Sequence, residues 1–231
     1  MKKARFYGQG LPGMEGLELP GKLIVIEGTD GVGRSTHVNL LHDWLESKGK
    51  GVLVTGLTRS PLVGEGLKAA KETKYLGHLT MTLFYATDFA DRLEHEIIPA
   101  LRAGFVVIAD RYLFTLLARD KVRGADSQWL RDLYGFTLIP DAVFYLSIDV
   151  DTLIPRVLRA GKLNYWEAGM DLGLADNLFD SFREYQSRLL GEFDAMTKEF
   201  AITVIDSKGS INSVQTKLRK KIEKLFKGTT P

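Results

Sequence analysis

The segment Gly28-Thr29-Asp30-Gly31-Val32-Gly33-Arg34-Ser35-Thr36 follows directly on the apolar run Leu23-Ile24-Val25-Ile26. A glycine loop between a buried strand and a helix constrains the chain to an open α/β sheet with an anion held at its edge. The template G-x-x-x-x-G-K-[ST] is met at Gly28, Gly33 and Ser35, with Arg34 at the lysine position. Glycines at 28, 31 and 33 allow successive backbone amides to turn inward as an anion nest. The helix expected over 34–48 adds its unpaired N–H groups and dipole, and Val38, Leu41, Trp44 and Leu45 have its spacing. The whole loop, Gly28 to Thr36, is therefore expected to hold a nucleotide triphosphate. Ser35 would offer its hydroxyl to Mg²⁺, and Arg34 would bring positive charge to the β and γ phosphates as a planar fork. His37 and His42 on this helix read as packing or surface residues.

Four further apolar runs read as strands: Val52–Leu57, Phe105–Ala109, Ala142–Ile148 and Ala201–Ile205. Helical or loop sequence separates them, the pattern of a doubly wound parallel sheet with helices on both faces. Right-handed crossovers then bring all strand C-termini to one edge, where ligands bind. Leu79–Arg102 reads as a long helix disturbed at Pro99, and Asp126–Gly135 as a shorter one. Residues 1–21 are dense in glycine and proline and read as an irregular arm, leaving 22–231 as a single domain. Gly161, Gly169 and Gly173 interrupt helical sequence between Leu153 and Met196, which suggests a short mobile lid over about 156–173. Asp149 and Asp151 read as loop and helix-cap residues. The basic segment Asn212–Phe226 reads as a helix with a solvated face.

Composition narrows the classes. Without cysteine there is no disulfide framework or thiolate chemistry, and the net charge of +2 gives no case for nucleic-acid binding. No apolar stretch approaches the roughly 18 residues of a membrane span, and the start Met-Lys-Lys-Ala-Arg lacks a secretory signal, so a cytoplasmic location is expected.

Two more positions fall at the same sheet edge. Asp110-Arg111-Tyr112 ends the third strand, placing Asp110 to orient the metal and Arg111 to meet a second anion. Thr58-Arg59-Ser60-Pro61 ends the second, where Arg59 could meet the same acceptor phosphate bidentately. Arg156, Arg159 and Lys162, at the start of the lid, could supply charge to the transferring group.

With IEGTDGVGRST, TRSP, LFYATDFADRLEHEIIPAL, ADRY, YLSIDVD and VIDSKGSINSV in place, the chain resembles the thymidylate kinase family from Lys22 to Phe226. The resemblance implies a five-stranded P-loop NTPase-like core, ATP with Mg²⁺ as donor, dTMP as acceptor and a homodimer. It also implies roles for single residues. Asp30 would lie near the acceptor sugar and metal, and Arg59 and Arg111 would hold the acceptor phosphate beside Tyr112. Tyr85 would stack on the base, Phe89 and Asp120 would stand at base-reading positions, and Tyr165 would replace a lid arginine. Two other readings stay open on the residues alone: a kinase for another nucleoside monophosphate, and a nucleotide-binding regulatory protein without turnover.

Overall fold

A computed structural model describes residues 2–14, 16–73, 76–161 and 163–227. Lys162, expected in the lid, lies outside these. The chain opens with two short strands, β1 (Lys2–Lys3) and β2 (Glu18–Leu19), which pair antiparallel. The core runs β3 (Lys22–Glu27), α1 (Arg34–Ser47), β4 (Val52–Gly56), α2 (Gly64–Glu72), α3 (His78–Arg92), α4 (Ile98–Arg102) and β5 (Val106–Asp110). It continues through α5 (Leu113–Val122), α6 (Ser127–Leu133), β6 (Ala142–Ser147), α7 (Val150–Arg159), α8 (Leu178–Glu199), β7 (Ile202–Asp206) and α9 (Ile211–Phe226).

Strands β3 to β7 form one parallel sheet in the order β4-β5-β3-β6-β7. Both faces are covered, which is why these strands read as unbroken apolar runs rather than alternating ones. Leu23 and Val25 of β3 face a core with Phe89 of α3, Leu116 of α5 and Phe193 of α8. Ile24 and Ile26 face the opposite core, with Leu41 of α1, Leu153 of α7 and Leu218 of α9. Strand β3 sits between β5 and β6, so the chain leaving it enters the crevice where connections diverge to either side.

The helix expected over 79–102 is one rod with a five-residue π turn, Leu93–Ile97, between α3 and α4. Pro99 has no N–H and its ring would crowd the carbonyl four residues back, and widening the preceding turn relieves that clash. The arm is less irregular than its composition suggests. Beyond the short ladder, Gly8 N–H donates to Gly135 O at 2.8 Å, Ile139 N–H donates to Arg5 O at 2.7 Å, and Tyr7 packs edge-on against Phe114 and Phe200. No helix among the described residues is long and apolar enough to cross a membrane.

Candidate active site

The loop after β3 turns through Gly31 and Gly33, with φ of 82° and 97°, the left-handed region that side chains other than glycine rarely enter. At Gly31 space forbids a substitution as well: a Cβ would stand 2.4 Å from Val157 Cγ2 of α7. Parallel register sets Ile26 beside Asp110, bringing the end of β5 to the base of the loop. There Ser35 donates its hydroxyl to Asp110 Oδ2 at 3.0 Å, and Arg34 donates from Nε to Asp110 Oδ1 at 2.8 Å. Arg34 Nη1 donates to the carbonyls of Gly28 and Thr29. The guanidinium is buried at the cavity's edge and bonds the loop from within.

A cavity of about 660 Å³ spreads from this loop. On the same loop, Asp30 also lines the cavity and accepts from Arg111 Nη2 and, at 2.8 Å, from Arg119 Nη2. Arg111 sits at φ 73°, and Thr58, next to Arg59, at φ 60°. These are the two non-glycine residues with positive φ among those described, each costing on the order of 1–3 kcal/mol, and both adjoin the cavity. Buried Glu27, at the end of β3, braces the Arg111 turn by accepting the Tyr112 N–H at 2.9 Å and the Thr115 hydroxyl. Burial pushes the Glu27 carboxyl up. Burial, with Arg119 beside it, pushes the Arg111 guanidinium down to about 9, leaving it cationic at neutral pH.

The far end of the cavity is lined by Lys71, Met81, Tyr85, Leu116, Asp120 and Trp166, with Arg123 and Tyr185 behind. Lys71 Nζ donates to the Tyr85 hydroxyl at 3.0 Å, and Trp166 Nε1 donates to the Lys71 carbonyl at 2.8 Å, so the segment around Trp166 meets α2 at the cavity's lining. Burial would raise the Tyr85 phenol, but Arg119 and Lys71 outweigh it and lower it. Asp120 is buried, its Oδ2 has no hydrogen-bond partner among the described residues, and burial raises its carboxyl to about 6. Arg123 is held by Asp171 at 2.8 Å and by the Tyr185 hydroxyl at 2.6 Å.

Three expected positions fall outside the cavity lining. Phe89 does not reach the cavity: one helical turn beyond Tyr85, it is sealed beneath Tyr112, with ring centroids 4.8 Å apart. Tyr112 is equally buried and donates its hydroxyl to Leu138 O at 3.0 Å, because the turn that points Arg111 outward points its neighbour into the core. Arg159 is exposed and outside the lining, whereas Arg156 lines the cavity and donates to Ser207 O at 3.2 Å. Tyr165 packs edge-on against Trp166. Asp149 caps α7, accepting the Thr152 N–H at 2.8 Å. The sequence reading missed Lys71, Arg119, Arg123, Trp166, Glu167 and Tyr185. Only Arg119 and Arg123 carried a signal, their i,i+4 spacing beside Asp120.

A phosphate loop and clustered arginines lining one cavity are the layout of a phosphoryl-transfer site, and residues 26–218 match the family model described as thymidylate kinase. The chain belongs to the thymidylate kinase family. It is 38% identical over 202 residues to "Probable thymidylate kinase 2" of Saccharolobus solfataricus, covering 87% of this chain and 94% of that protein. A "Probable thymidylate kinase" of Thermococcus kodakarensis is 30% identical over 88% of this chain and 98% of its own length. The "Thymidylate kinase" of Brachyspira hyodysenteriae is 30% identical over 72% and 83%. Within this family, Arg34 marks a loop whose cation is bound to its own carbonyls and to Asp110.

Proposed function

We propose that the chain transfers the γ-phosphoryl group of ATP to dTMP, giving ADP and dTDP. The observation that carries this reading is the cavity whose lining joins the Ser35–Asp110 pair to Arg59, Arg111 and Arg119. The loop amides and Arg34 hold the triphosphate, and a second open groove lined by Thr36, Asn39, Leu40, Ser210 and Ile211 leaves room for its nucleoside end. Arg59 and Arg111 hold the acceptor phosphate, with Asp30 fixing Arg111 and Arg119. Tyr85, Asp120 and Trp166 surround the base.

An oxygen of the dTMP phosphate attacks the γ phosphorus as the bond to the β–γ bridging oxygen breaks, and ADP leaves with that electron pair. The attacking phosphate is already anionic at neutral pH, so the site needs no general base and works by positioning and by offsetting charge. A hydroxyl and a carboxylate oxygen 3.0 Å apart suit a hard divalent cation, so Ser35 and Asp110 would hold Mg²⁺. That ion supplies charge stabilisation on the phosphate oxygens. Arg156 and the closed lid exclude water as a competing acceptor.

The reading also carries a homodimer, with α3 as the contact because Leu79 and Leu83 are exposed on it, and a cytoplasmic location. The test of the activity is an ADP-release assay over a panel of deoxy- and ribonucleoside monophosphates. dTMP should give the highest kcat/KM. Release that no acceptor raises above the ATP-only rate contradicts the reading.

A further inference from the structure

Arg59 is exposed on a loop, yet the backbone on either side of it is held by a buried side chain. Its neighbour Thr58, a β-branched residue, sits at φ 60°, where such side chains rarely go. A conformation of that kind persists only where the surroundings hold it. The holding group is Asp88, 30 residues further along the chain on α3 and fully buried. Its Oδ2 accepts the Thr58 N–H at 2.9 Å and its Oδ1 accepts the Ser60 N–H at 2.9 Å, so one carboxylate clasps both amides that flank Arg59.

The carboxylate is itself fixed. Arg92, one turn on and 2% exposed, donates from Nε to Asp88 Oδ2 at 3.1 Å and from Nη1 to the Thr55 hydroxyl at 3.2 Å. That hydroxyl donates to Glu96 Oε2 at 2.7 Å. The chain Glu96–Thr55–Arg92–Asp88 therefore ties α3 and its π turn to both sides of the β4 terminus. Arg59 lines the cavity; Asp88 and Arg92 do not.

We propose that Asp88 is a positioning residue for acceptor binding, acting through Arg59 by fixing the Thr58–Ser60 backbone with Arg92 as its counter-ion. The inference rests on the assignment of Arg59 to the acceptor phosphate. An amide at position 88 keeps the shape but turns one acceptor oxygen into an NH₂ group facing a backbone N–H, so the clasp loses one arm.

The test is steady-state kinetics of the full chain with dTMP and ATP varied independently, for Asp88→Asn, Arg59→Ala and the double variant. Asp88→Asn should raise the KM for dTMP on the order of tenfold while the KM for ATP stays within about twofold. The double variant should match Arg59→Ala alone, because the two act through one contact. Thr58→Gly, which makes a positive φ inexpensive, should recover part of the Asp88→Asn loss, and it keeps the question open to measurement if Asp88→Asn alone folds poorly. A raised KM for dTMP in Arg59→Ala with none in Asp88→Asn overturns the Asp88 role. So do multiplying effects in the double variant, or an equal rise in the KM for ATP. An unchanged KM for dTMP in Arg59→Ala overturns the assignment of Arg59 and the inference with it.

Discussion

Arg34 donates its Nε–H to Oδ1 of Asp110 at 2.8 Å, so the cation at the loop's lysine position is bound to the end of β5 instead of standing free in the cavity. The same guanidinium satisfies two loop carbonyls that would otherwise lie unpaired beside a polyphosphate. Arg34→Ala should therefore lower kcat/KM by about 10²-fold, the scale of a small misplacement of the reacting groups when the loop loses the guanidinium that holds its shape. Arg34→Lys, which keeps the charge but loses the fork, should fall between the two. Steady-state rates of purified variants check this, and Arg34→Ala within twofold of wild type contradicts it.

Asp30 offsets Arg111 and Arg119 at once, with Arg34 Nη2 a further 3.9 Å from its Oδ1. Asp30→Asn leaves these cations facing each other in a largely buried site. Breaking such a pairing costs on the order of 3 kcal/mol, which should lower Tm by about 6–12 °C for a chain of this size. Added dTMP, whose phosphate supplies the missing negative charge, should raise the Tm of this variant more than that of wild type. Thermal unfolding with and without dTMP measures both effects.

Strand positions were legible because the sheet's strands are apolar runs, with the central β3, β5 and β6 buried on both faces, and the loop because its glycines carry backbone requirements that spacing alone reveals. Which face of α3 and α5 meets the cavity was not legible. Tyr85 and Phe89 share one helical face, yet Tyr112 intervenes over only the second. Arg119 and Asp120 enter the cavity from α5, whose own pattern is apolar nearly all round. Lys71 and Trp166 meet across 95 residues of sequence, a relationship that no local periodicity encodes. The arm's two-residue strands are too short to show alternation.

The Asp120 carboxyl, raised to about 6 by burial, gives stability a pH dependence of definite sign. Its folded value exceeds the ordinary aspartate value of about 3.9, so its favourable contribution is complete below about pH 4 and is lost as pH rises through about 6. The difference corresponds to roughly 3 kcal/mol. Asp120→Asn lacks this titration, so its Tm relative to wild type should climb by several degrees between pH 4 and 7. A constant Tm difference across that range contradicts the assignment.

Trp166 joins its segment to α2 through the Lys71 carbonyl, and Gly161, Gly169 and Gly173 flank that segment with positive φ. Trp166→Ala should raise the KM for dTMP about tenfold and increase ATP hydrolysis without acceptor, as water enters the open site. Trp166→Phe, which keeps the ring and loses only the hydrogen bond, should shift both by about threefold or less. Parallel assays with and without dTMP separate the two quantities.

The most direct measurement follows the phosphoryl group itself. With γ-³²P-labelled ATP, Mg²⁺ and dTMP, the label should appear in the β position of dTDP in one-to-one proportion with ADP. Label recovered only as inorganic phosphate, or retained in ATP, contradicts direct transfer between nucleotides held by the loop and by the cavity's arginines.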